Sequence, residues 1–343
     1  MNTGVKMNKT QNAQIITLLI VIGIVVSSGC TQQKNTTEEK KKDLTTIKVG
    51  LSWLHEAQFA GLYWADQKGL YGEEGLKVEF YPYNYTDLAQ DLTDGKYDFV
   101  ILQTDTLLQA KEAGLPVKAV YADYQIIPTC YYSRKGSGIT KPNDLIGKNV
   151  GVAYSERYPL LGLLKRVGIN ASAVNIIDRD YVYEPLANGT YDVEAGWVTD
   201  GDLVKKVAGE YNVIHPYDYG VNWYADVITT TDGKIADNPD VVGKFIKATA
   251  KGWENAIEHS DEAALLTLNY TGEEIQQLTP EHLKFVLDAS SPLIHTGEQH
   301  IGWMEPQVFE DTQDMLLEQG VMKRPINVSD AYTLQFLKNA YGE

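Results

Sequence analysis

Trp53, His55, Glu56 and Gln58 stand together in one short stretch, directly after a run with Val49 and Leu51 on one face. An indole beside an imidazole, a carboxylate and a carboxamide offers a stacking face and several hydrogen-bonding groups, the equipment for holding a flat polar molecule. Similar mixtures recur along the chain, at Thr104 and Asp105, Gln125, Tyr154 and Glu156, Trp197 and Asp200, and Trp223. A single loop aromatic packs more often than it binds. A set of them spread over several loops, in a chain with 22 Tyr and 6 Trp, points instead to a ligand sandwiched between rings. These eleven positions other than Glu56 are the candidate ligand contacts.

The same residues do not make a catalyst. The sequence has no Gly-rich phosphate loop, no G-x-S-x-G elbow, no His-Glu-x-x-His and no Cys-x-x-Cys. His295 and His300 are spaced so that one helix would not bring both rings to a common face, and no metal or cofactor is expected. His215, His259 and His282 read as surface or internally satisfied groups, and Cys130 as a small buried hydrophobe. The candidate loops carry Glu56, Asp105, Glu156 and Asp200, with Arg157 the only nearby base. A sulfonate, nitrate or phosphate would lack its counter-charge there. A neutral or cationic heteroaromatic fits better, and an aminopyrimidine and a flavin are equally compatible.

Positioning such loops is the work of alternating strands and helices. The stretch 47–51 reads as a strand and Phe59 to Lys68 as a helix stopped by Gly69. Strands follow over 77–81, 97–102 and 117–121, with helices over 87–93 and 104–113 between them, a pattern that predicts a mostly parallel sheet. The alternation restarts with a strand over 149–153, a helix over 159–167 with Pro159 at its first position, and strands over 174–177, 193–197 and 211–214. Two lobes are therefore expected. Gly95, Tyr97, Asp98 and then Thr104–Asp105 are echoed by Gly189, Tyr191, Asp192 and then Thr199–Asp200, so each lobe ends a strand at a Thr–Asp pair able to cap the next helix, and the two pairs would face each other across a cleft. The segment ADVITTT around Asp226 reads as a strand returning to the first lobe. An amphipathic helix over 239–258, capped by Asn238, and helices over 262–268, 280–289, 306–317 and 330–340 form a helical C-terminal tail. Crossings near 129–134 and 224–230 would be the hinge. Lobe 1 is then 47–128 plus 226–343, and lobe 2 is 129–225.

At the other end, Lys6 and Lys9 precede an apolar run over 15–26, too short to span a bilayer comfortably and suited to a signal peptide over 1–29. Ser27, Ser28 and Gly29 before Cys30 form a lipoprotein-like cleavage box in which Cys30 is the lipidated residue. Residues 30–46 are polar and read as a flexible tether. This places the domain outside the membrane and anchored to it. The net charge of -16 disfavours nucleic acid as a partner, and a monomer is expected.

The pattern W-x-x-x-A-Q-F-A-G-L-Y-x-A, followed by K-G-L-Y-x-E-E-G-L-x-V, resembles the opening of ABC-importer substrate-binding proteins of the branch similar to the thiamine-pyrimidine-precursor synthases. The resemblance continues over 102–121, 142–152, 218–262 and 302–341. It implies the two-lobed α/β fold of type II periplasmic binding proteins, with two crossover strands, and a function of capturing a small heteroaromatic ligand for an ABC permease. The ligand would be a pyrimidine thiamine precursor or riboflavin-like. It also implies alternatives: a pyrimidine-precursor synthase-like enzyme, or a binding protein for a sulfonate- or nitrate-type anion. The eukaryotic synthases use a cysteine-rich motif, and this chain has Cys130 alone after the leader. After Trp197 the branch commonly has a small polar residue and Glu-Pro, where this sequence reads VTDGD.

Overall fold

The computed structural model describes residues 44–180, 182–271 and 278–343. The expected leader, Cys30 and the tether up to residue 43 lie outside the described residues. In chain order the elements are β1 (Thr45–Gly50), α1 (Ala60–Gln67), α2 (Leu70–Glu73), β2 (Leu76–Tyr81), α3 (Leu88–Thr93), β3 (Phe99–Leu102), α4 (Thr104–Glu112), β4 (Val117–Tyr124), β5 (Thr129–Arg134), β6 (Asn149–Val152) and α5 (Tyr154–Arg166). They continue with β7 (Asn175–Asp178), α6 (Glu184–Asn188), β8 (Val193–Trp197), α7 (Gly201–Ala208), β9 (Tyr211–Ile214), β10 (Ala225–Thr231), α8 (Asp232–Asp237), α9 (Pro239–Glu258), α10 (Ser260–Thr267), α11 (Pro280–Ile294), α12 (Pro306–Glu318) and α13 (Gln335–Tyr341).

Among the described residues the strands form two five-stranded sheets, ordered β2-β1-β3-β10-β4 and β7-β6-β8-β5-β9. The two orders are the same motif. In the first, β2, β1 and β3 run parallel and β10 enters antiparallel between β3 and β4. In the second, β7, β6 and β8 run parallel and β5 enters antiparallel between β8 and β9. Each lobe thus receives its fourth strand from the chain arriving out of the other, a two-lobed α/β fold with two crossovers and a helical C-terminal region. The crossings fall outside the strands expected to hold them. Thr129–Arg134 lies wholly in the second sheet and Ala225–Thr231 in the first, so the connecting segments are 125–128 and 215–224.

Local chemistry moves several other boundaries. β1 begins two residues inside the expected tether, because Thr45 and Thr46 pair with Leu76 and Lys77 of β2. α5 starts at Tyr154 and carries Pro159 inside it rather than at its first position, since Glu156 Oε2 accepts the N–H of Ala153 at 2.7 Å and secures the first turn. α11 runs on to Ile294, and the last helix begins at Gln335 after a 3₁₀ turn over Val328–Asp330. Asn238 makes no side-chain cap to α9, whereas Asp87, Thr231 and Thr279 cap α3, α8 and α11.

The tail belongs to the first lobe's core. In α9, Phe245, Ile246 and Trp253 are fully buried. Gly61 lets α1 lie against this helix, for a Cβ there would fall 2.2 Å from the Trp253 ring. The chain after α11 then closes the β4 edge of the first sheet: Ala122 N–H donates to the Gly302 carbonyl, and Ala119 exchanges bonds with Ala331 and Thr333. An edge strand covered in this way has no free ladder to offer another chain.

Candidate functional site

The topology decides which residues meet. The carboxyl ends of the parallel strands β1 and β3 lie beside the amino end of antiparallel β10, with Val227 opposite Leu102. Ser52, Trp53, Gln103 and Asp226 therefore converge at one sheet edge. In the second sheet the carboxyl ends of β6 and β8 bring up Ser155, Glu156, Trp197 and Asp200. These two edges line a common cavity of about 290 Å³, completed by Glu56, Gln58, Tyr183 and His282. A hollow of about 420 Å³ between α5 and α12 is larger, but it has no aromatic lining and its Lys165 and Glu318 pair with each other. The inter-lobe cavity has the convergent polar groups and aromatic walls of a ligand site.

On the first lobe's side, Asp226 is buried and has φ +53°, a left-handed backbone uncommon for a residue with a side chain. That conformation persists because both carboxylate oxygens are held: the Ser52 hydroxyl donates at 2.7 Å and Gln58 Nε2 at 3.2 Å. Burial nevertheless pushes the Asp226 carboxyl up to about 7, with the Glu56 charge adding to the rise and the two donors opposing it.

On the second lobe's side, Asp200 accepts the Tyr183 hydroxyl at 2.5 Å and the Trp197 N–H at 3.0 Å. Burial raises its carboxyl against those bonds. Glu156 is also raised by burial, with Arg179 opposing. Arg179 lies behind it, 3.7 Å from Glu156 and 3.4 Å from Glu194, its guanidinium over the Tyr183 ring. The base expected near the site, Arg157, is instead a surface group paired with Asp178.

His282 forms part of the third wall. Its Nδ1 lies 2.8 Å from Asp202 of α7 and its Nε2 3.2 Å from Glu56. Burial lowers the imidazole, but the two carboxylates more than compensate and raise it to about 9. The cavity lining thus holds four carboxyl groups, from Glu56, Glu156, Asp200 and Asp226, against one imidazolium that is already engaged.

Of the sequence-derived candidates, the cavity brings together Trp53, Gln58, Glu156, Trp197 and Asp200. The others lie elsewhere. His55 Nδ1 contacts the Tyr63 hydroxyl at 2.8 Å, within an aromatic group that includes Tyr270. Thr104 is fully buried, its hydroxyl donating to the Tyr224 carbonyl at 2.8 Å, and Asp105 is buried beside it with its carboxyl raised by burial to about 6. The two expected Thr–Asp pairs consequently do not oppose each other, since only Thr199 and Asp200 reach the cavity. Gln125 Nε2 donates to the Ala122 carbonyl. Tyr154 is 68 % exposed and packs edge-on against Tyr158, while Trp223 is 0 % exposed in the core.

Asp226 and His282 line the cavity without being among the sequence-derived candidates. Asp226 opens an apolar strand where a buried carboxylate is unexpected, and His282 sits on a tail helix far along the chain. The acidic second residue of ADVITTT, at the point where the chain re-enters the first lobe, is the clue that could have found Asp226.

Known proteins resemble this chain in sequence and in fold. Over 307 residues the chain is 27% identical to the riboflavin-binding protein RibY of Chloroflexus aurantiacus, covering 86% of each chain. It is 24% identical over 301 residues to the formylaminopyrimidine-binding protein of Halalkalibacterium halodurans, covering 84% of this chain and 90% of that one. A shorter match, over 231 residues, is to a 4-amino-5-hydroxymethyl-2-methylpyrimidine phosphate synthase of Candida albicans. The solved ligand-binding component of an ABC-type import system from Staphylococcus aureus superimposes with a TM-score of 0.67 at 16% identity, covering 86% of this chain and 99% of that one. The family model described as NMT1/THI5 like matches residues 56–263, and the chain belongs to that family.

Proposed function

We propose that this protein is the extracytoplasmic solute-binding component of an ABC importer, tethered by a lipid on Cys30, and that it captures a small planar heteroaromatic ligand between its lobes for a membrane permease. The observation that carries the reading is the cavity itself: two tryptophans, Trp53 and Trp197, contributed from the strand ends of opposite sheets, within a lining of four carboxyl groups. Flat rings stack on indoles, and carboxylates accept the N–H groups of amino-substituted or imide-bearing heterocycles. The relatives that bind riboflavin and a formylaminopyrimidine support that ligand class. The lobes divide as 45–124 plus 225–343 and 129–214, joined by 125–128 and 215–224, with Trp53, Gln58, Glu156, Trp197 and Asp200 as ligand contacts and the protein acting as a monomer.

The acidic lining disfavours a sulfonate or nitrate, which would meet like charge at close range. The synthase reading is the second alternative. Cys130 is fully buried and burial pushes its thiol well up, the opposite of a reactive cysteine.

A thermal-shift series with riboflavin, formylaminopyrimidine and an alkanesulfonate tests the reading. A ligand at about 100 times its Kd adds roughly 2.7 kcal/mol of stability. Stabilisation by a heteroaromatic and none by the sulfonate is expected; stabilisation by the sulfonate alone would overturn the assignment.

A further inference from the structure

We propose that His282 is the clasp that holds the two lobes closed, its ring bonded through Nε2 to Glu56 of the first lobe and through Nδ1 to Asp202 of the second, so that deprotonating the ring releases the cleft. The supporting geometry has three parts. First, the two contacts, 3.2 Å to Glu56 and 2.8 Å to Asp202, use both ring nitrogens: Glu56 lies, like α11 itself, on the first lobe, and Asp202 of α7 lies on the second. Only an imidazolium donates from both nitrogens; a neutral ring leaves one carboxylate facing a lone pair. Second, the ring is held in place, because the Thr279 hydroxyl accepts the His282 N–H and fixes the first turn of α11. Third, the far end of α11 is tied to the first crossing, where the N–H groups of Gln125 and Ile126 both donate to the Leu293 carbonyl. The helix is therefore a strut running from the hinge to the cavity, with the imidazole at its working end.

The charges facing this end come from each packed element. The loop before α1 brings Glu56, the turn before α7 brings Asp200, and α7 brings Asp202. Asp226 of β10 is linked through Ser52 and Gln58. Farther along α11, Tyr124 of β4 is bonded to Ser290, and its neighbour Asp123 has a carboxyl that burial raises well above the usual range. Trp253 of α9 faces Asp123. On α11 itself Lys284 pairs outward with Asp261 of α10 and with Asp288. The imidazolium is thus the positive charge set between the lobes' carboxylates. With its value raised from 6.5 to about 9 while both contacts are made, the clasp is at full strength below the ordinary value of about 6.5 and is lost as pH rises through about 9.

Small-angle scattering of the ligand-free protein between about pH 6 and pH 10 tests this independently of the ligand's identity, with far-ultraviolet circular dichroism on the same samples. The expected result is a radius of gyration that rises with pH at constant circular dichroism. The Asp202→Asn variant, altered at a half-exposed side chain, should be open already at the acid end and respond weakly, and His282→Gln should behave likewise. A flat wild-type profile, or an undiminished pH response in Asp202→Asn, overturns the clasp. Loss of the circular dichroism signal over the same range does so too, by assigning the histidine to fold stability.

Discussion

The Ser52 hydroxyl donates to the Asp226 carboxylate at 2.7 Å across 174 residues of chain. One residue ends the first strand's exit and the other begins the strand that returns from the second lobe. Their bond, with that of Gln58, is what keeps a buried carboxyl at the junction of the two crossings.

The first prediction follows from that carboxyl. Its folded value of about 7 lies above the unfolded value near 3.9, so the folded state binds the proton more tightly. Stability from this group is present at low pH and falls as pH rises from about 4 through about 7, by on the order of 4 kcal/mol at most. Asn tolerates a left-handed backbone and carries no charge. Asp226→Asn should therefore be more stable than wild type by about 1 to 3 kcal/mol near pH 8, and the advantage should vanish near pH 5. Urea unfolding at the two pH values measures it, and a variant less stable at pH 8 than at pH 5 relative to wild type would refute the argument.

How much of this was readable beforehand depends on whether the signal is local. The alternation of strands and helices, the return of ADVITTT to the first lobe and the carboxyl-edge placement of Trp53 and Trp197 all follow from periodicity and turn chemistry. The misplacements have a common cause. Thr104, Asp105 and Trp223 look like loop or edge residues in sequence, yet all three are buried; Thr104 bonds the Tyr224 carbonyl just before β10, whose insertion beside β3 is a long-range pairing with no local mark. His282 was legible only as a helix residue after a Thr-Pro start, because its partners Glu56 and Asp202 lie 226 and 80 residues away.

A second prediction concerns the buried charge behind the site. Arg179 stands between Glu156 and Glu194, all three almost fully inaccessible. Arg179→Met would leave two carboxyls without their counter-charge, at a cost of about 3 to 5 kcal/mol. Burial already holds Glu194 near 7, and without the guanidinium both carboxyls should stay protonated further up the pH scale. The deficit should therefore be largest above pH 7 and shrink toward pH 5. A deficit independent of pH would mean that packing of the Arg179 stem, not charge, is what was lost.

The third prediction tests the helix contact that anchors the tail. A Cβ on Gly61 would lie 2.2 Å from the Trp253 ring, and one on Gly252 would lie 2.3 Å from the Gly61 carbonyl oxygen. Overpacking of this kind typically costs about 1 to 3 kcal/mol. Gly61→Ala should lower the melting temperature although alanine favours helix. Gly72→Ala, where nothing lies within 4 Å, should not lower it. An unchanged Gly61→Ala protein would show that α1 and α9 can separate at no cost.

The last prediction separates wall from core among three tryptophans. Trp53 is partly exposed and lines the cavity, Trp197 lines it while packing edge-on against Tyr124 at 5.7 Å, and Trp223 is 0 % exposed away from it. Removing a stacking face should weaken binding by about 1 to 3 kcal/mol, by analogy with bases stacked on aromatic side chains. Emptying a core site of this size costs about 3 to 5 kcal/mol of stability. Trp53→Ala should thus bind the heteroaromatic ligand about tenfold or more weaker while melting within a few degrees of wild type. Trp197→Ala should lose both affinity and some stability, because Tyr124 loses a partner. Trp223→Ala should lose stability most, and whatever remains folded should bind nearly as wild type does. Calorimetric titration and thermal melts on the three variants give the two readouts. If Trp53→Ala unfolds the ligand-free protein while Trp223→Ala abolishes binding in a stable fold, the wall and the core have been interchanged and the ligand lies outside this cavity.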